Sequence, residues 1–186
     1  MTIQQRITQQ LERLATHEPE QLAAVVQKAP KTGYLLGVPP EGGKGVGASL
    51  NLADYDRYSA ALRHLEIYDN SQTVASGQED IYLQQVAATI AQKLTFLEEP
   101  LELLELDGVE HTAQLRSNPP RRSADESIYW EIQVWVAPHP HARITRYRWL
   151  AGEPDRIAIT YPATFATLGR IAENLAGALS VEPANV

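Results

Sequence analysis

Residues 128–161 read IYWEIQVWVAPHPHARITRYRWLAGEPDRIAITY, and they decide the fold because their apolar residues recur at every second position, the period of a strand. Ile128, Trp130, Ile132, Val134 and Val136 share one wholly apolar face, opposite Tyr129, Glu131, Gln133 and Trp135. The first face must be core. The next run divides into Ile144, Arg146, Arg148 and Leu150 against Arg143, Thr145, Tyr147 and Trp149. Here the aromatic set is expected to turn inward, leaving Arg146 and Arg148 outward. In the last run Ile157, Ile159 and Tyr161 are expected inward, with Arg156, Ala158 and Thr160 outward. The segments PHPH and GEPD separate the runs as turns.

Upstream, PLELLELDGVEHTAQLRS at 100–117 reads as two strands around the Asp107-Gly108 turn. The segment SNPPRRSADES, 117–127, reads as a long, mobile hairpin loop. Five sequential strands with short links imply an antiparallel meander.

Helical spacing appears on both sides of this region. Ile3, Ile7, Leu11 and Leu14 form one stripe, and EPEQLAAVVQKAP, 18–30, suggests a second helix that completes an N-terminal helical hairpin over 1–30. Tyr34–Val38 and Ala48–Ala53 look extended, whereas DYDRYSAALRHL, 54–65, has the spacing of a short helix behind Asp54. Ser76 and Glu79 suggest a capping box for a helix over 77–94. A C-terminal helix over 162–180 starts at Pro162, its small residues Ala166, Gly169, Ala172 and Ala176 letting it lie close to a sheet. The expected architecture is a single α+β domain, 1–186: an antiparallel sheet of about five to seven strands, mostly within 95–161, packed by the middle and C-terminal helices.

Composition narrows function by exclusion. A net charge of −7 argues against general nucleic-acid binding. The absence of cysteine removes thiol catalysis, disulfides and Cys-based metal sites. No apolar run approaches the ~20 residues of a membrane span, so cytoplasmic residence without membrane attachment is the simplest reading.

The motifs exclude more. In VPPEGGKGVGASLN, 38–51, Gly42 and Gly47 have the outer P-loop spacing, but Ala48 stands where the lysine belongs, and Lys44 is misplaced for that role. A Gly-rich flap with Lys44 at its tip is the functional reading left. His139 and His141 lack a nameable third ligand, and Asp54 with Asp56 suits a charged helix start better than a metal. No hydrolase or zinc-protease signature occurs, so no catalytic residue and no cofactor are indicated.

What remains is an outward surface of Tyr129, Trp135, Arg146, Arg148 and Arg156, tempered by Glu131. Aromatics with guanidinium groups suit anion or protein recognition. The expected function is a non-catalytic protein-interaction or assembly module whose partner presents an acidic surface. The alternative is a small acidic-ligand binder with its pocket between sheet and C-terminal helix. Single-stranded RNA on the sheet face is a third class, which the net charge disfavours.

Overall fold

The computed structural model describes residues 1–17, 22, 26–28 and 33–182. Helix α1 (Ile3–Thr16) begins with a capping box, in which Thr2 accepts from the Gln5 N–H while the Gln5 side chain accepts from the Thr2 N–H. It buries Ile3, Ile7, Leu11 and Leu14. Then come β1 (Val26–Lys28), β2 (Tyr34–Val38), β3 (Val46–Tyr55), β4 (Ser59–Asp69) and α2 (Glu79–Lys93). Strands β5 (Leu101–Asp107), β6 (Thr112–Ser117), β7 (Arg121–Ser123), β8 (Glu126–Val136), β9 (Pro140–Leu150), β10 (Ile157–Ile159) and β11 (Tyr161–Thr164) precede helix α3 (Phe165–Leu179).

The eleven described strands join one antiparallel sheet whose main path runs β1-β2-β3-β4-β9-β8-β6-β5, with β7 paired to β8 beside it. The sheet forks where β4 and β9 part: β11 pairs with the start of β4, and β10 with the end of β9. Leu50, Leu62, Leu65, Leu115, Trp130, Ile132 and Ile144 are buried in one core with residues of all three helices. The opposite face of the sheet carries none of these helices. The α+β class, the meander β5-β6-β8-β9-β10 and the core face of β8 are as the sequence implies.

Several local expectations are corrected. The sheet is larger than five to seven strands because β1–β4 extend it beyond 95–161. The second helix of the hairpin falls mostly outside the described residues; of those described, Leu22 is buried and Val26–Lys28 pairs with β2 as a strand. DYDRYSAALRHL is a hairpin, not a helix. The pairing Leu52↔Leu62 followed by Asn51↔His64 leaves Arg63 as an extra residue, and this bulge sets Leu62 and Leu65 three apart, the spacing that imitates a helix. Asp56 closes the turn by accepting from the Tyr58 and Ser59 N–H groups and the Ser59 hydroxyl, bonds that hold its pKa down.

Helix α2 starts at Glu79 without a side-chain cap, so Ser76 does not form the expected box. The segment 117–127 does lie in a hairpin, but not as one long loop, since Arg121–Ser123 pairs with Glu126–Ile128. Pro162 lies in β11, and Thr164 caps α3 by accepting from the Thr167 N–H. Gly169 serves a neighbouring helix rather than the sheet: a Cβ there would lie 3.0 Å from the Gln4 carbonyl oxygen and the Thr8 hydroxyl of α1.

Candidate functional site

Residues directly opposite in an antiparallel pair share a face. The register Trp130↔Arg146 and Tyr129↔Tyr147 therefore settles the orientation of β9. Trp130 is core, so Arg146 points to the helix side, and Tyr147 and Trp149 point to the open face. This overturns the expected outward placement of Arg146 and Arg148. Arg146 is buried in an ion-pair cluster, with Nη1 3.1 Å and Nη2 2.9 Å from the Glu99 carboxylate and Nη2 3.0 Å from Glu98. Its guanidinium carbon lies 4.7 Å from the centre of the Trp130 ring. Arg148, opposite Ile128, is on the same side, with Nε 3.7 Å from Glu126.

The open face keeps Tyr129, Trp135 and Arg156 and adds residues from neighbouring strands. At its centre Glu131, only 2% exposed, accepts from Arg116 at 3.0 Å and from both terminal nitrogens of Arg156. Arg116 sits 4.8 Å above the Tyr129 ring and Arg156 4.1 Å above Tyr147, and the two tyrosines stack at 6.0 Å. Burial opposes the Arg156 charge, but hydrogen bonds to Glu131 and Tyr129 more than offset it and raise its pKa. Each guanidinium is held between a carboxylate and a ring, so both are fixed before any ligand arrives.

Arg116, Tyr129 and Arg156 line a groove of about 900 Å³. Leu103 and Leu104 of β5 border it, as do Trp149 and Pro154.

Farther along the face, Glu66 accepts from Arg143 at 3.1 and 2.7 Å and lies 3.2 Å from His141 Nδ1. The His141 ring stacks on Trp135 at 4.9 Å, and Arg143 lies 5.5 Å from the centre of that indole. His64 nearby has its pKa lowered by burial and then by Arg143. The His141 hydrogen bond and the Arg143 ion pair outweigh burial and hold Glu66 down at about 2.

Because that value lies below the ordinary 4.5, the stabilisation is complete above the unfolded-state pKa and is lost as pH falls toward 2. Glu66→Gln should therefore flatten the dependence of stability on pH in that acid range while changing it little in shape above pH 5. Urea midpoints measured across the range check this. An unchanged acid limb would place the native carboxylate outside the pair.

Lys44 lies apart from this face, bordering a hollow of about 480 Å³ with Arg6, Glu41 and Glu173. The glycine loop around it is a β2–β3 connection in which Gly42, Gly43 and Gly45 take φ of 66°, 82° and 113°. Two polar side chains tie it down. Arg6 donates to the Pro39 and Val46 carbonyls at 3.0 and 2.9 Å, and Asn70 accepts from the Gly45 N–H at 2.7 Å while donating to the Gly43 carbonyl at 3.1 Å. Among the described residues no three His, Asp or Glu side chains group as metal ligands, and no described helix is long and apolar enough to cross a membrane.

Sequence reasoning left Arg116, Arg143, Tyr147 and Trp149 out of the site. The signal for the last three was present: once Trp130 is core, pairing β8 with β9 fixes their side. Arg116 needed the β6–β8 register, Arg116↔Glu131, which only the folded sheet supplies. The chain matches no family model, no curated protein and no solved structure with which it was compared.

Proposed function

We propose that this protein is a non-catalytic protein-interaction module whose open sheet face receives an acidic, apolar-bearing segment of a partner protein. The observation that carries this reading is the groove in which two arginines, preset on tyrosine rings, lie beside exposed leucines and a tryptophan. Arg116 and Arg156 share the single carboxylate of Glu131, and Glu102 and Asp155 also line the groove. Guanidinium groups next to aromatics favour carboxylates that arrive with apolar neighbours. A groove of about 900 Å³ bordered by apolar side chains would also admit a compact amphipathic acid. That is the alternative reading, with its pocket on the open face rather than beneath the C-terminal helix.

Titration of the isotope-labelled protein with a synthetic peptide alternating Glu and Leu tests the proposal. Amide shifts should concentrate around Arg116, Tyr129, Trp149 and Arg156, and Trp149→Ala should weaken binding about tenfold. The same peptide with Lys for Glu should bind more weakly. Equal or tighter binding of the lysine peptide would overturn the proposal, and saturation by a single amphipathic carboxylate with no effect from the peptide would favour the alternative.

A further inference from the structure

The fork in the sheet gathers polar groups that the groove does not use. Past the pair His64↔Thr145, β4 turns to β11 and β9 to β10, and a hollow of about 280 Å³ opens there. The register His64↔Thr145 and Thr145↔Glu131 puts these three side chains on the open face. The bulge in β4 adds a fourth. As the extra residue, Arg63 stays beside His64 instead of alternating to the core, and its Nη1 donates at 3.5 Å to the side-chain oxygen of Asn51, the residue paired with His64. Arg143 and Gln133 line the hollow from β9 and β8, and Thr160 lines it from the link between β10 and β11.

Most of these groups can donate and have nothing to donate to. Arg63 has no carboxylate partner among the described residues, and the side chains of His64, Gln133, Thr145 and Thr160 have no hydrogen-bond partner among them. Arg143 gives Nε and Nη2 to Glu66, which leaves its Nη1 over. The carboxylates nearby are already taken: Glu131, which also lines the hollow, by Arg116 and Arg156, and Glu66 by Arg143 and His141. Burial and then Arg143 keep the His64 imidazole neutral, with Arg63 adding to the effect and Glu66 opposing it.

The hollow is smaller than the ~300–1,000 Å³ of pockets for drug-sized ligands, so its occupant is compact. Its donors converge from β4, β8, β9 and the β10–β11 link, more directions than the two oxygens of one planar carboxylate can meet. A tetrahedral oxyanion meets them, and guanidinium groups favour it with paired, charge-assisted hydrogen bonds. We infer that the fork binds a phosphate group, free or at the end of a phosphomonoester, with Arg63 and Arg143 as its cationic partners and Gln133, Thr145 and Thr160 as its neutral donors. This site stands apart from the Arg116 and Trp149 groove and does not rest on the reading of that groove.

NMR titration of the isotope-labelled protein at pH 7 with inorganic phosphate, and separately with glycerol 1-phosphate, tests the inference against chloride at matched ionic strength. The His64 ring signals and the Thr145 and Thr160 amides should shift saturably. The His64 pKa should rise in the filled site, because the anion offsets Arg63 and Arg143 around the imidazolium. Arg63→Gln should weaken binding about tenfold. Thr160→Val, on an exposed link, should weaken it about threefold in a chain with wild-type circular dichroism. Tighter binding of the ester would identify a phosphomonoester as the ligand, and equal or tighter binding of inorganic phosphate would identify the free ion. Chloride reproducing the shifts would overturn the inference, as would wild-type affinity in either folded variant. Saturation by malonate with none by phosphate would overturn it too, by showing a carboxylate site.

Discussion

Trp130→Ala is expected to cost about 3–5 kcal/mol, the range for truncating a large aromatic side chain inside a packed core. Trp130 is 1% exposed, meets Tyr161 edge-on at 4.7 Å and supports the Arg146 guanidinium. Truncation leaves a cavity and strips the arginine of its aromatic floor, so the loss should exceed transfer free energy alone. Trp130→Phe should cost much less. It keeps a ring against Tyr161 and also removes the indole N–H, which is buried without a hydrogen-bond partner. Urea unfolding with an unchanged m-value measures both. An alanine variant as stable as wild type would show that the core face of β8 is misassigned.

The strand period made this core legible from one sequence. Five apolar residues at alternate positions from Ile128 to Val136 admit only one inward face. Alternation fails where a bulge adds a residue, as at Arg63, because the period of two slips to three and reads as helical. It fails again where a charge is neutralised from a distance. Nothing within β9 reveals that Arg146 faces the core, since Glu98 and Glu99 lie on a segment far away in sequence and compensate it only after folding. The open face was half legible for the same reason. Tyr129, Trp135 and Arg156 come directly from alternation, whereas Arg116 reaches Glu131 only through pairing across strands.

Arg146 carries the second large expectation. Removing one partner of a buried ion pair costs about 3–5 kcal/mol because the other is left charged without compensation. Arg146→Ala would leave Glu99, 6% exposed, without the two hydrogen bonds that hold its carboxylate. Arg146→Glu should be worse, since a third carboxylate would join Glu98 and Glu99. Adding Glu99→Gln to Arg146→Ala should recover part of the loss, and the coupling from a double-mutant cycle isolates the pair. Arg148→Glu provides the control. Its side chain is half exposed and its Glu126 partner stands 3.7 Å away, so the change should alter stability by less than about 1 kcal/mol. The structure thus separates two arginines that alternate identically in the sequence. If Arg146→Ala and Arg148→Glu proved equally mild, the β8–β9 register would have to shift by one residue, carrying Tyr147 and Trp149 off the open face and the groove with them.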